Sequence, residues 1–244
     1  MNVKKPYSAI GGVFEYLNDD CGYEQWSQYL IEKLRAYGVG AGACGADFGC
    51  GNGYFTRAFY KAGYAVKGFD ISPEMLSAAV EQSRKEGDCI EFLSGDISKT
   101  ALNFKAGFIT AVNDCINYIP PEKLEKTFAR VYKNLGKGGV FIFDVSSENK
   151  LKNILGNNLF AEDRGDVAYM WFNTLNGGCV DMDITLFARR KDGLFERKDE
   201  RQTQYIHRET DILSALQGAG FRAESEGHLG GGKEERICFY AVKL

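Results

Sequence analysis

The sequence predicts an α/β fold in which a doubly wound, mostly parallel sheet carries an antiparallel β insert. Three observations lead to this prediction. Short apolar runs alternate with helical patterns between residues 44 and 147, as in chains whose parallel strands are joined by crossover helices. Beyond residue 147, three strand-like segments are separated by the turn signals NGG and KDG. A glycine-rich turn connects the first strand of the alternating part to its first helix.

The N-terminal part of the chain, residues 1–43, is predicted to form a helical cap. In residues 23–37 bulky side chains such as Trp26 and Leu30 recur at helical intervals, and Gly38 can end the helix with a positive φ. We expect this amphipathic helix to lead into the sheet domain.

Residues 44–150 and 206–244 are expected to form one α/β domain. Its best-marked helix has Ser72 as N-cap, Pro73 at the first helical position and Gly87 as its stop. We expect strands at residues 45–49, 64–70, 89–96, 107–114, 138–145 and 236–244, and helices within residues 54–62, 73–86, 120–139 and 209–220.

The insert, residues 151–205, is expected to be an antiparallel meander with strands near residues 167–173, 179–190 and 194–206. Alternation would place half of its aromatic side chains on one face, where they could form the underside of a substrate lid that excludes water. A packed insert without substrate contact is the alternative. The aromatic residues concerned are Tyr169, Trp171, Phe172, Phe187, Phe195 and Tyr205.

Composition excludes several classes of protein. The 244 residues include 30 Lys and Arg against 33 Asp and Glu, and the net charge of −3 argues against non-specific nucleic-acid binding. His207 and His228 have no partners at metal-ligand spacing, and the seven cysteines contain no C-x-x-C pair. No run approaches the roughly 18 apolar residues that span a bilayer. We therefore expect a soluble, cytoplasmic protein with no metal, no nucleic-acid partner and no membrane partner.

The glycine-rich turn has the spacing of a cofactor loop. Gly49, Gly51 and Gly53 let the backbone approach a ligand closely, and Asp70 follows at the end of the second strand, where a carboxylate can accept both hydroxyls of a ribose. The dinucleotide fingerprint G-x-G-x-x-G would need Gly or Ala where this chain has Tyr54. Loop and acid together indicate a nucleoside-containing cofactor, and a tight turn without a ligand is the alternative.

With Asp47 two residues before its first glycine, the G-x-G-x-G loop resembles motif I of the class I S-adenosylmethionine-dependent methyltransferases. FDISPEML, SGDIS, FITAVNDCINYI and GKGGVFIFDV resemble the family's later motifs in the same order, so the resemblance covers nearly all of the chain. It implies S-adenosyl-L-methionine as the cofactor and a Rossmann-like seven-stranded sheet, mostly parallel with the last strand antiparallel. Tyr23 and Trp26 resemble the helix that covers the methionine end of the cofactor in glycine N-methyltransferase-like enzymes.

The resemblance also implies roles for individual residues. Asp70 would bind the ribose and Asp96 the adenine amino group, although Asp96 could instead be a turn residue. Asp47 would orient loop amides or bind the cofactor's ammonium through water, and Trp26 would be either a cofactor contact or a core residue. The cofactor-binding residues expected on this basis are Trp26, Asp47, Gly49, Cys50, Gly51, Asn52, Asp70, Ile71, Met75, Asp96, Ile97 and Asn113.

Residues after the fourth strand are the candidates for positioning a methyl acceptor, because they lie at the carboxyl ends of the sheet. Methyl transfer from a sulfonium is an in-line displacement, which alignment and electrostatics can catalyse. We expect Asp114, Asn117 and Tyr118 to be catalytic, with Asp114 as general base or as the partner of a protonated acceptor. Alternatively, Asp114 and Asn117 cap the turn before Pro120 and Pro121.

The sequence therefore predicts a methyltransferase that acts on a small-molecule acceptor through an N or O nucleophile. A non-catalytic S-adenosylmethionine-binding or interaction protein of the same fold is the alternative, and Tyr54 disfavours a nicotinamide-dependent oxidoreductase. Related bacterial enzymes often carry a His and an Arg where this chain has Gln202 and Tyr205. The identity of the acceptor and the oligomeric state therefore stay open.

Overall fold

The computed structural model describes residues 22–244, so most of the predicted N-terminal cap, residues 1–21, lies outside the described part. Five α-helices and eleven strands form the described part. The helices are α1 Tyr23–Ala36, α2 Tyr54–Lys61, α3 Pro73–Glu86, α4 Leu124–Asn134 and α5 Glu209–Gly218. The strands are β1 Cys44–Phe48, β2 Ala65–Asp70, β3 Glu91–Ser94, β4 Ala106–Ala111, β5 Leu135–Ser146, β6 Leu159–Asp163, β7 Val167–Asn176, β8 Cys179–Arg189, β9 Phe195–Tyr205, β10 Phe221–Gly227 and β11 Arg236–Lys243.

The main sheet has seven strands in the order β10-β11-β5-β4-β1-β2-β3. Strands β1 to β5 pair in parallel, whereas the last strand, β11, runs antiparallel to both β5 and β10. The order reverses between β1 and β4, which is the position where α/β sheets open a ligand crevice at the carboxyl ends of their strands. The predicted fold class is confirmed.

Apolar side chains on both faces of the sheet form two cores, as expected for parallel strands covered by helices. On one face, Phe128 of α4 and Leu216 of α5 pack with Phe141 and Phe143 of β5. On the other face, the neighbouring β5 residues Val140 and Ile142 pack with side chains of α1 and α2, which are Trp26, Leu30, Leu34, Phe55 and Phe59. The continuous apolar run of β5 is therefore buried on both sides.

The insert is a separate four-stranded antiparallel sheet, ordered β6-β7-β8-β9. Its last three strands were predicted, but β6 was not, because this five-residue strand is largely exposed and lacks an alternating pattern. A helical turn at Lys150–Leu155 precedes it. The segment FRAESEG, for which no strand was predicted, forms β10.

Two element ends differ from the predicted bounds near the carboxyl edge of the sheet. Strand β4 stops at Ala111 instead of residue 114, because Asn113 and Asp114 adopt left-handed backbone angles, with φ of 63° and 67°. Helix α4 ends at Asn134, and β5 follows at once, so the glycines at 136–139 belong to the strand. Within the described part, no helix has the length and apolar content needed to cross a bilayer.

Candidate active site

A cavity of about 520 Å³ opens at the carboxyl ends of β1, β2, β3 and β4. It contains most of the residues that the sequence assigned to a cofactor. Those on its wall are Gly49, Cys50, Gly51, Asn52, Asp70, Ile71, Met75, Asp96, Ile97 and Asn113. Trp26 and Asp47 are not among the lining residues.

The glycine loop requires glycine for two separate reasons. Gly49, Gly51 and Gly53 have φ of 66°, 56° and 79°, values that residues other than glycine rarely adopt. At Gly49 a Cβ would also lie 2.6 Å from Sγ of Cys115, inside van der Waals contact. The loop can therefore hold its backbone against the cavity only without side chains at these positions.

Asp70 connects the end of β2 to the glycine loop. Its carboxylate is 7% exposed and accepts hydrogen bonds from the backbone N–H groups of Gly51, at 2.9 Å, and Ser72, at 2.8 Å. A carboxylate oxygen has more than one acceptor position, so these bonds orient Asp70 while leaving capacity for hydroxyl donors. Such an oriented carboxylate at the cavity wall suits the paired hydroxyls of a ribose.

The side of the cavity beyond Asp70 combines apolar walls with one acid. Met75 and Ile97 are buried, and the Ser72 hydroxyl caps α3 by accepting from the backbone N–H of Met75 at 3.3 Å. The carboxylate of Asp96 accepts from the Ser98 backbone N–H at 2.8 Å and its hydroxyl at 2.6 Å. Burial acts to raise the pKa of Asp96, but the Ser98 bonds and the charge of Lys99 outweigh it and keep the pKa low. The apolar walls fit a flat heteroaromatic ring, and the charged acid fits an amino group on that ring.

The loop residues Cys50 and Asn52 have structural roles. Burial raises the pKa of the Cys50 thiol well above its ordinary value, so this thiol is a small filler and not a nucleophile. The carbonyl oxygen of Asn52 accepts from Arg57 Nη1 at 2.7 Å. This contact ties the loop to the first turn of α2.

Asp47 lies behind the cavity wall. Its carboxylate, 1% exposed, accepts from the hydroxyls of Thr56 at 2.6 Å and Thr110 at 2.7 Å, so it joins β1 to α2 and β4. Burial raises the pKa of Asp47 to about 6, against the two hydroxyl bonds that lower it. Both carboxylate oxygens of Asp47 are held by threonines of the scaffold, and its expected role toward loop amides or the cofactor's ammonium stays a prediction.

The cavity end nearest α1 is aromatic. Tyr23, Tyr54 and Phe55 line it, and the Tyr23 and Tyr54 ring centroids are 5.0 Å apart. Trp26, 2% exposed, lies behind them and meets Phe55 edge-on at 5.0 Å. Trp26 is therefore a core residue that supports the wall, and Tyr23 is the residue of α1 that reaches the cavity.

Two of the three predicted catalytic residues are held away from the cavity. The carboxylate of Asp114 lies 3.0 Å from Arg236 Nη1 and accepts from the Ser146 hydroxyl at 2.8 Å. Burial acts to raise the pKa of Asp114, but the charge of Arg236 outweighs it and lowers the pKa below its ordinary value. Neither Asp114 nor Asn117 lines the cavity, and their catalytic roles stay predictions. An ion-paired carboxylate of low pKa away from the wall is poorly suited to act as a general base.

Asn117 connects three parts of the fold. Its Oδ1 accepts from the backbone N–H of Ser146 at 2.9 Å, and its Nδ2 donates to the carbonyl oxygen of Tyr205 at 3.1 Å. It does not cap the turn before Pro120, as the alternative reading proposed, but fastens that turn to β5 and to the end of the insert.

Tyr118 is the one predicted catalytic residue on the cavity wall. Its hydroxyl donates to Oε1 of Gln202 at 2.6 Å and accepts from Nε2 of Gln204 at 3.3 Å. Both glutamines belong to β9, so Tyr118 connects the cavity to the inner face of the insert.

Sequence reasoning missed the charged group that supports this end of the sheet. Asp144, 1% exposed, accepts from the backbone N–H groups of Asn113 at 2.6 Å and Asp114 at 3.1 Å, and it also pairs with Arg236. The guanidinium of Arg236 lies 4.9 Å from the centroid of Trp26. The sequence does contain a signal for this pair, because Asp144 in β5 and Arg236 in β11 are charged residues within apolar strands. Charged residues are rarely buried in a strand unless they have a partner of opposite charge.

Comparisons with known proteins agree with this geometry. Residues 46–139 match the family model described as a methyltransferase domain. A protein of Geobacillus sp. strain WCH70, named as a methyltransferase, is 27% identical over 245 residues, which cover 97% of this chain and 99% of that one.

Solved structures agree as well. A crystal structure of an S-adenosylmethionine-dependent methyltransferase from Clostridium acetobutylicum is 30% identical and superposes with a TM-score of 0.87 over 95% of this chain and 96% of that one. The sugar N-methyltransferase KedS8 from Streptoalloteichus superposes with a TM-score of 0.82 over 100% of this chain and 96% of its own, at 17% identity.

The chain belongs to the class I S-adenosylmethionine-dependent methyltransferases. It is an enzyme, and its cofactor is S-adenosyl-L-methionine. The alternative of a non-catalytic binding protein is thereby set aside. Within residues 22–244, no cluster of His, Cys, Asp and Glu has the geometry of a metal site.

Proposed function

We propose that this enzyme transfers the methyl group of S-adenosylmethionine to a nitrogen or oxygen nucleophile of a small molecule in the cytoplasm. The observation that carries the proposal is the cavity itself, in which Asp70 and Asp96 follow β2 and β3 on one side of β1, and Asn113 and Tyr118 follow β4 on the other. The first side fits the nucleoside of the cofactor, so the second side is where an acceptor would meet the methyl group.

The cofactor supplies an activated methyl group on a sulfonium. What the chain contributes is alignment. The strained turn that begins at Asn113 is held by a hydrogen bond from its backbone N–H to Asp144. Tyr118 is held by hydrogen bonds to Gln202 and Gln204 of the insert. A rigid amide and a rigid phenol at one end of the cavity can hold an acceptor in line, and the aromatic wall at Tyr23 limits access of water.

Three observations support a small acceptor. The net charge of −3 gives no electrostatic attraction for a polyanion. The structural match to the sugar N-methyltransferase KedS8 includes the insert, because it covers 100% of this chain. The insert also contacts Tyr118 through two glutamines, which supports the lid expected from the sequence.

The proposed cytoplasmic location is supported by the cysteines. The six cysteines of the described part are unpaired, in keeping with a reducing compartment.

RNA is the second candidate acceptor. An 18S rRNA (guanine-N(7))-methyltransferase of Schizosaccharomyces pombe is 33% identical, but the match covers only 47% of this chain and 44% of the relative. Lys99, Lys123 and Lys126 at the cavity edge are the residues that would contact a phosphate backbone.

An assay with S-adenosylmethionine tritiated on its methyl group separates the two candidates. The enzyme is incubated either with the small-molecule fraction of a bacterial extract or with bacterial ribosomal RNA, and incorporated label is counted. We expect label in the small-molecule fraction and none in RNA. Label in RNA alone would contradict the proposed acceptor class, and no label in either fraction would contradict the proposed activity.

A further inference from the structure

One face of the insert, called the inner face here, carries polar side chains of which only some are hydrogen-bonded to their neighbours. In the strand register, Trp171 of β7 lies opposite Ile184 of β8, which lies opposite Glu200 of β9. In the same way, Asn173 lies opposite Met182, which lies opposite Gln202. Because side chains alternate along strands, these residues share one face of β7, β8 and β9. That face is the one joined to Tyr118, and so to the cavity wall.

Several polar atoms on this face are buried without a partner among residues 22–244. Both amide atoms of Asn173, Nε1 of Trp171 and Oε1 of Gln204 make no hydrogen bond there. Asn173 is 7% exposed and Gln204 is 6% exposed, so bulk water does not compensate them. Leaving a buried polar group unpaired is costly, and natural structures rarely keep several together without a ligand or ordered water to pair them.

The position of the unpaired atoms relates them to the methyl-transfer end of the cavity. Gln202 is hydrogen-bonded to Tyr118 at 2.6 Å. Asn173 lies two strands away from Gln202 on the same face, at about 10 Å from it for two strand spacings. An acceptor held at Asn173 could extend along this face as far as Tyr118.

We infer that the inner face of the insert is the acceptor-recognition site, an inference that rests on the proposed function. Asn173 offers a donor and an acceptor side by side, Trp171 offers a donor, and Gln204 offers an acceptor. These four atoms match an acceptor molecule rich in hydroxyl or amide groups. Among the nine facing positions from Trp171 to Leu175, Val180 to Ile184 and Glu200 to Gln204, the one charged side chain is Glu200, so an anionic acceptor is disfavoured.

Substitutions that remove the unpaired atoms test this site. Asn173→Leu removes both amide atoms, Trp171→Phe removes Nε1 together with part of the ring system, and Thr174→Leu on the opposite face of β7 is the matched control. Each variant is compared with the wild type by thermal unfolding, by calorimetric titration with S-adenosylhomocysteine, and by the rate of tritiated methyl transfer to the small-molecule fraction.

For Asn173→Leu we expect a Tm about 2–4 °C higher, because an uncompensated amide leaves the interior. We expect the transfer rate at low acceptor concentration to fall about tenfold or more in both inner-face variants, since 1.4 kcal/mol of lost hydrogen bonding corresponds to a factor of ten. S-adenosylhomocysteine affinity and the control should stay unchanged. The labelled product should not bind an anion exchanger.

Two results would contradict the site, namely a lower Tm for Asn173→Leu or wild-type transfer rates in both inner-face variants. Retention of the labelled product on the anion exchanger would contradict the acceptor class. A wild-type enzyme that transfers no label would contradict the proposed function itself, and with it the site.

Discussion

Arg236 at the start of β11 and Asp114 in the turn after β4 form a partly buried ion pair, with 3.0 Å between Nη1 and Oδ1. The same guanidinium pairs with Asp144, whose carboxylate holds the backbone N–H groups of Asn113 and Asp114. One cation near the end of the chain thus stabilises the turn that presents Asn113 to the cavity.

Removing this cation should destabilise the protein strongly. Arg236→Met leaves the buried carboxylate of Asp144 and the partly buried one of Asp114 without their cation, and we expect a loss of about 3–5 kcal/mol in the free energy of unfolding. Urea denaturation measures it. Arg197→Met, which breaks an exposed pair with Asp199, is the control and should cost less than about 1 kcal/mol. Equal losses of unfolding free energy in the two variants would contradict a stabilising role of Arg236 beyond that of an exposed ion pair.

Asp47 should give the protein a distinctive pH dependence. Its pKa is about 6 in the folded state against 3.8 for a free carboxyl, so the folded state binds more protons between these values. Its contribution to stability is therefore greatest below pH 4 and is lost as the pH rises through 6. The free energy of unfolding of the wild type minus that of Asp47→Asn should fall by about 2–3 kcal/mol as the pH rises over that interval. A difference independent of pH would mean that burial does not perturb Asp47.

The glycine loop can be tested by adding a methyl group. Gly49→Ala should lower both stability and cofactor affinity, because the residue has φ of 66° and its Cβ would collide with Cys115. Gly177→Ala is the matched control, since Gly177 also has a positive φ, of 57°, but open space around it. Strain alone costs about 1–3 kcal/mol, so Gly49→Ala should lose more than the control. Recovery of part of the loss in Gly49→Ala/Cys115→Ala would identify the steric share.

Tyr118 should affect turnover and not cofactor affinity. Tyr118→Phe removes the hydroxyl that bonds to Gln202 and Gln204 but keeps the ring on the cavity wall. We expect the rate of label transfer to fall about tenfold or more, with S-adenosylhomocysteine affinity unchanged within twofold. A matched loss of cofactor affinity would instead make Tyr118 part of the nucleoside site.

What could be predicted from the sequence was local. The glycine loop, Asp70 and Asp96 lie within single strand-to-helix turns, where residue type and spacing report the geometry directly. The contacts of Asp114 and Asn117 could not be predicted because their partners are distant in sequence. Arg236 follows Asp114 by 122 positions, and Tyr205 follows Asn117 by 88. No pattern within a short window carries such a pairing.

The insert shows the same limit. Alternation correctly predicted strands β7 to β9, but of the six aromatic side chains considered for a lid only Tyr169 and Trp171 share the inner face. The polar row with Asn173 could not be recognised, because buried and exposed polar residues look alike in a sequence. The register of three strands was needed to bring Asn173 and Gln202 onto one face.

The role of Asp70 at the cofactor ribose is tested most directly by the affinity of S-adenosylmethionine for Asp70→Ala, measured by isothermal titration calorimetry. Asp192→Ala, at an exposed hairpin tip, is the control for losing a carboxylate. Hydrogen bonds to a charged group contribute about 1.5–3 kcal/mol each, so losing two ribose contacts should weaken binding by about a hundredfold or more. We expect that loss in Asp70→Ala and none in Asp192→Ala. Undiminished affinity in folded Asp70→Ala would contradict the assignment of Asp70 to the ribose.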